Sequence, residues 1–170
     1  MKKVADLNFK SLQDKLKKIS NQRSTLFVGW DNPEMAKIAG IQEYGATIRV
    51  TDKMRKFLAW KYEIYLKKTT TQIIIPPRAH RYQVVQENRD KWAKQLAVLL
   101  IKNNYDIVKS FGAMGAIMKQ DYTAVIKDGK FKELSAATMH IRGKNSIAGS
   151  QPLHATGEME RLITYEVYSG

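Results

Sequence analysis

The chain contains no cysteine. That absence excludes a disulfide framework, a thiol nucleophile and any cysteine metal site, and leaves the redox compartment open. Long apolar runs are missing as well. None approaches the roughly 18 residues of a membrane-spanning helix. The opening MKKVADLNFK meets Asp6 before an apolar leader core can form, so the expected origin is the cytoplasm. Histidine is scarce: His80, His140 and His154 show neither the spacing of a helical zinc pair nor an adjacent metalloprotease glutamate. There is no glycine-rich phosphate loop, Ser146 and Ser150 lack a nucleophile elbow, and no two carboxylates stand out as a catalytic couple. The expectation is a protein that is not an enzyme and needs no cofactor or metal.

Acidic residues are outnumbered, 16 Asp plus Glu against 29 Lys plus Arg, giving a net charge of +13 over 170 residues. Such an excess favours a polyanionic partner or an acidic protein surface, although a well solvated lysine-rich surface explains it equally simply. It is concentrated in residues 49–68, where Arg49, Lys53, Arg55, Lys56, Lys61, Lys67 and Lys68 face only Asp52 and Glu63. A hydrophobic content of 44% suffices for a core, and the length fits one domain, 1–170.

Leu7, Leu12, Leu16 and Ile19 recur at near-helical spacing, predicting an amphipathic helix over 7–20. TLFVGW (25–30) reads as a strand; DNPE then turns the chain into a short helix that Gly45 closes, and ATIRVT alternates as a half-buried strand. Thr51 can cap a helix bearing Met54, Phe57 and Leu58, whereas the alternation from Trp60 to Leu66 predicts a hairpin with arms at 62–67 and 71–75. Ile73, Ile74 and Ile75 favour extended backbone, and Pro76 with Pro77 forces the strand to end. Beyond that corner Val84, Asn88, Trp92 and Leu96 step by three or four, predicting a long helix over 79–103. A second helix starts at Ile107 and ends before KDGK; in it Gly112 and Gly115 would let another backbone approach. Residues 128–152 have no sustained period and read as a long loop, either mobile alone or, as the apolar anchors in FKEL and MHI favour, ordered by a neighbouring subunit. A short helix capped by Thr156 and a strand carrying Ile163, Tyr165 and Val167 close the chain. The predicted class is α+β: a small antiparallel or mixed sheet with a β-hairpin, two long helices and shorter N- and C-terminal helices.

Basic residues interleave with aromatics in KMRKFLAWKYEIYLKK, so Lys53, Arg55, Lys56, Lys61, Lys67 and Lys68 are candidate contacts to DNA or to an acidic partner. No helix-turn-helix, zinc finger or RNA-binding sheet signature accompanies them, which argues against base-specific reading. A free basic protein that binds nucleic acid without sequence preference is one reading of these residues.

Four segments in order support another. IQEYGATI (41–48), TDKMRKFLA (51–59), IIIPPRAHRYQVVQEN (73–88) and QPLHATGEMERLITYEV (151–167) together resemble the tail-completion, or head-to-tail joining, proteins of tailed bacteriophages, the virion-morphogenesis group that includes the Mu-type member. Glu43, Tyr44 and Gly45 match the family's turn; Ile75, Pro76, Pro77 and Arg78 match its corner; Pro152, Leu153, Thr156 and Gly157 match its late element. Where the family usually has Pro and Phe after the arginine, this chain has Ala79 and His80, and Ala155 stands where Asp is usual. The resemblance implies a structural virion protein, assembled in the host cytoplasm and placed at the neck or head-proximal end of the tail. It also implies a homo-oligomeric ring, a hexamer. The partners would be connector, tail terminator or tail tube proteins, genomic DNA would pass through the lumen, and no membrane would be involved.

Overall fold

A computed structural model describes residues 9–143 and 151–170. The first residues of the 7–20 helix, the side chain of Leu12, and Ser146 and Ser150 of the long loop lie outside what is described. The fold is α+β, with seven helices and two small antiparallel two-stranded sheets among the described residues, and two long helices that pack together. No described helix is long and apolar enough to cross a membrane. Among the described residues two compact units emerge: one from 9–28, 89–119 and 165–170, the other from 29–88, 120–143 and 151–164.

In the first unit, α1 (Phe9–Ser20) leads to β1 (Ser24–Gly29), which pairs with β4 (Thr164–Ser169). The long helices α4 (His80–Lys102) and α5 (Ile107–Asp128) each contribute one portion here. Asn104 and Tyr105 take left-handed backbone to reverse the chain between them, with φ of 51° and 61°. Asp106 caps α5 by accepting from the Lys109 amide at 3.0 Å, and Gln22 Oε1 accepts from the Ile107 amide at 3.0 Å. Gly115 meets side chains, not another backbone: a Cβ there would lie 2.3 Å from the Tyr165 ring and 3.0 Å from Leu26. Around Gly112 that space is empty.

The second unit holds α2 (Pro33–Tyr44), β2 (Ala46–Arg49), α3 (Asp52–Tyr62), β3 (Gln72–Ile75), α6 (Ala136–Arg142) and α7 (Glu158–Arg161), with the remaining portions of α4 and α5. Asn32 Oδ1 caps α2, followed by Pro33 at the first helical position. Thr51 Oγ1 caps α3. Its core gathers Trp30, Met35, Ala39, Val84, Tyr122, Val125, Ile126, Leu153, Met159 and Ile163.

Two local expectations change. The arm at 62–67 is not a strand. Met54, Leu58 and Tyr62 recur on one half-buried face, so α3 continues to Tyr62, and Glu63 then ends it in left-handed backbone at φ 55°. β3 pairs with β2 instead, antiparallel, with Ala46 opposite Ile75 and Arg49 opposite Gln72. Ile64 and Leu66 still alternate inward, which is the periodicity the sequence displayed, but no ladder forms. The 128–152 segment also carries more structure than its composition suggests, including α6, capped by Ser135 Oγ. Its described portions are tied to their own chain: Gln151 Nε2 donates to the Lys127 carbonyl, and His140 Nε2 lies 2.9 Å from the Tyr62 carbonyl.

Candidate functional site

Pro76 and Pro77 bring the chain to a corner at which α4 begins without a cap of its own. Ala79 accepts the first helical bond, from the Gln83 amide, yet its side chain has no oxygen for the free amides of the first turn. Glu43, from the end of α2, supplies it: Oε2 accepts from the Arg81 amide at 2.8 Å and Oε1 from the Tyr82 amide at 3.4 Å. The carboxylate thus lies at the positive end of the longest helix. Gly45 allows the approach. Its φ is 75°, and a Cβ there would lie 2.7 Å from the Ile75 carbonyl oxygen and 3.0 Å from Pro77 N.

Arg78 is buried, and its partners are neutral oxygens. Its amide donates to the Gln42 carbonyl at 2.6 Å, Nη1 to Gln42 Oε1 at 3.0 Å, Nε to the Lys132 carbonyl at 3.0 Å and Nη2 to that of Glu133 at 3.5 Å. Burial, with the charge of Arg142, lowers its pKa. One planar fork therefore joins the end of α2 to the segment after α5. Tyr44, by contrast, is exposed, and its hydroxyl accepts from Arg81 Nη2 at 2.7 Å.

Next to this lies a buried aromatic cluster. His80 is fully enclosed; its ring stands 5.7 Å from those of Trp30 and Tyr122, and Trp30 Nε1 donates to the Met159 carbonyl at 2.6 Å. A carbonyl can only accept, so His80 Nε2, 3.1 Å from the Ala39 oxygen, carries the proton, and Nδ1 accepts from the Tyr122 hydroxyl at 2.8 Å. Burial above all holds this imidazole below its ordinary pKa range, against the opposing pull of the Ala39 carbonyl and Glu43. Burial, then Glu43, pushes the Tyr122 phenol well above its usual value. Both groups are neutral and enclosed.

The late motif is framework too. Leu153 is buried, Pro152 offers its carbonyl to Arg142 Nη2 at 2.6 Å, and Gly157 starts α7 in left-handed backbone. Thr156 Oγ1 accepts from the Glu158 amide at 3.4 Å.

Of the basic candidates, Lys53, Lys56, Lys61, Lys67 and Lys68 are exposed. Arg55 departs from the expected contact set. Its guanidinium is turned inward on carbonyls of the following loop: Lys67 at 2.9 Å, Leu66 at 3.3 Å, Lys68 at 3.4 Å, and Thr70. Sequence reasoning missed Gln42, Trp30 and Tyr122, whose polar partners lie 36 to 129 residues away. Among the described residues no cluster of His, Cys, Asp or Glu could hold a metal ion. No protein-family model, curated protein or solved structure matches the chain.

Proposed function

We propose that the chain is a structural protein of a tailed-phage virion that assembles as a ring at the head-tail junction, completes the tail and lets DNA pass through its lumen. The observation carrying this reading is that the motif segments of the resemblance interlock. Glu43 caps the helix that follows the Pro76-Pro77 corner, Arg78 returns to Gln42, and Gly45 fits only because its Cβ is absent. Leu153 of the late segment enters the same unit's core. These residues serve as a frame, which is what a joining protein requires.

A closed ring needs two different contact faces on each copy. Exposed apolar side chains occur in both units, Val98 and Ile101 on α4 and Ile48 and Ile74 on the β2-β3 pair, and these suit contacts to flanking copies. The excess of positive charge suits acidic neighbours or a lumen that passes DNA.

Quantitative mass spectrometry of purified particles tests the reading. A fixed, ring-like copy number per particle is expected, and Ile101→Asp should abolish incorporation while leaving the free chain folded. Absence of the chain from particles despite abundance in infected cells would overturn it.

A further inference from the structure

The helix α3 has two contrasting sides. Met54, Arg55, Leu58, Ala59 and Tyr62 are half-buried, whereas Lys53, Lys56, Phe57, Trp60 and Lys61 are exposed. At 3.6 residues per turn those five outward residues fall within an arc of about 140° and span about 12 Å of the axis. Trp60 is 80% exposed and Phe57 45%. Their ring centroids are 6.5 Å apart, and Lys61 Nζ sits 5.5 Å from the centre of the Phe57 ring. Among the described residues no carboxylate pairs with Lys53, Lys56 or Lys61. The outer face is therefore two neighbouring aromatic rings set among three ammonium groups that form no ion pair, with exposed Asp52 at its edge one turn before Lys56.

The loop after α3 is fixed to it. Arg55 reaches from the inner side to the carbonyls of residues 66, 67, 68 and 70. That grip holds Tyr65, 80% exposed, together with exposed Lys67 and Lys68, in a set relation to the helix.

Water-exposed rings beside unpaired cations suit a ligand with flat apolar faces and regularly spaced negative charges. A lipid surface fits less well: interfacial helices bury a broad apolar face, and here the apolar side of an 11-residue helix is already turned into the fold. An acidic peptide would satisfy the lysines and leave the rings without a partner. Duplex DNA hides its base faces in the stack. Unpaired nucleotides offer both features at once.

We propose that the outer face of α3, with its pinned loop, binds single-stranded nucleic acid without reading sequence. Trp60 and Phe57 stack on bases, and Lys53, Lys56 and Lys61, with Lys67 and Lys68, neutralise phosphates. This inference stands independently of the joining role.

The test titrates full-length protein with oligothymidylate, with oligouridylate and with a duplex of the same length, following tryptophan emission at several salt concentrations. Quenching by both single strands is expected, with weaker binding to duplex. Three to five neutralised phosphates predict a log-log salt slope of about −2 to −3.5. Trp60→Leu should weaken binding about 5- to 150-fold with circular dichroism unchanged. Lys53→Gln combined with Lys56→Gln should flatten the slope by about 1.4. A preference for one single strand would assign the sugar type. The proposal fails if the single strands do not bind, if Trp60→Leu binds like the parent chain, or if duplex binds more tightly. It fails equally if only phosphatidylserine vesicles alter the emission, by a blue shift, since the face would then be a lipid contact.

Discussion

At the scale of single residues, Glu43 and His80 carry opposite lessons about buried polar groups. Glu43 is enclosed with its carboxyl oxygens on the amides of α4, donors that Ala79 leaves unmet. Glu43→Ala should therefore cost about 1–3 kcal/mol in urea unfolding. Ala79→Asp on that background should restore part of the loss; no recovery would mean the carboxylate matters for some other reason than capping. His80 is enclosed and neutral. In the folded chain its pKa is depressed, so in the acid range the unfolded chain takes up a proton that the folded chain refuses. Its contribution to stability is complete above the unfolded value of about 6.5 and is lost as pH falls below it. The charged and titratable neighbours are Glu43, Arg81 and Tyr122, and Glu43 reduces the effect without reversing it. His80→Gln retains a donor for the Ala39 carbonyl and cannot titrate in this range. Between pH 7 and 5 the parent should lose stability faster than this variant, and parallel curves would refute the assignment.

At the scale of elements, the two glycines of α5 look alike in sequence and differ in surroundings. Gly112→Ala has open space and should stabilise the chain by about 0.5–1 kcal/mol through helix propensity. Gly115→Ala drives a methyl into Tyr165 and should cost about 1–3 kcal/mol. Thermal melts of the two variants should shift in opposite directions. Arg55→Ala should release the 66–70 loop, seen as faster amide exchange there with α3 intact. Helices were legible wherever a period lasted: α4 and α5 begin within a residue of where spacing and turn residues place them. The segment 60–66 misled because Trp60 and Tyr62 fit either period, and only the half-buried face shared with Met54 and Leu58 decides between them. Capping at Thr51 was readable because it acts over three residues. Capping by Glu43 acts over 38 and leaves no local mark. The site divides the same way: the exposed lysines followed from composition, whereas the inward turn of Arg55 depended on where a loop would fold.

At the scale of the whole molecule, a charge of +13 makes self-repulsion a standing cost of compactness. Raising ionic strength from 0.01 to 0.15 M shortens the screening length from about 30 to about 8 Å. The melting temperature should rise by a few degrees over that range, and a flat or falling profile would show that the basic residues are already compensated. Each unit is assembled from separated stretches of chain, a property that composition cannot convey. The bond from the Trp30 indole to the Met159 carbonyl spans 129 residues. A ribosome adding about 5–20 residues per second would emit Trp30 about 6–26 s before its acceptor exists. His80 and Tyr122 join the chain within that interval, and until Met159 follows them the indole N–H lacks its native acceptor. The rate of translation through 122–159 thus sets how long this indole donor stays without its native partner.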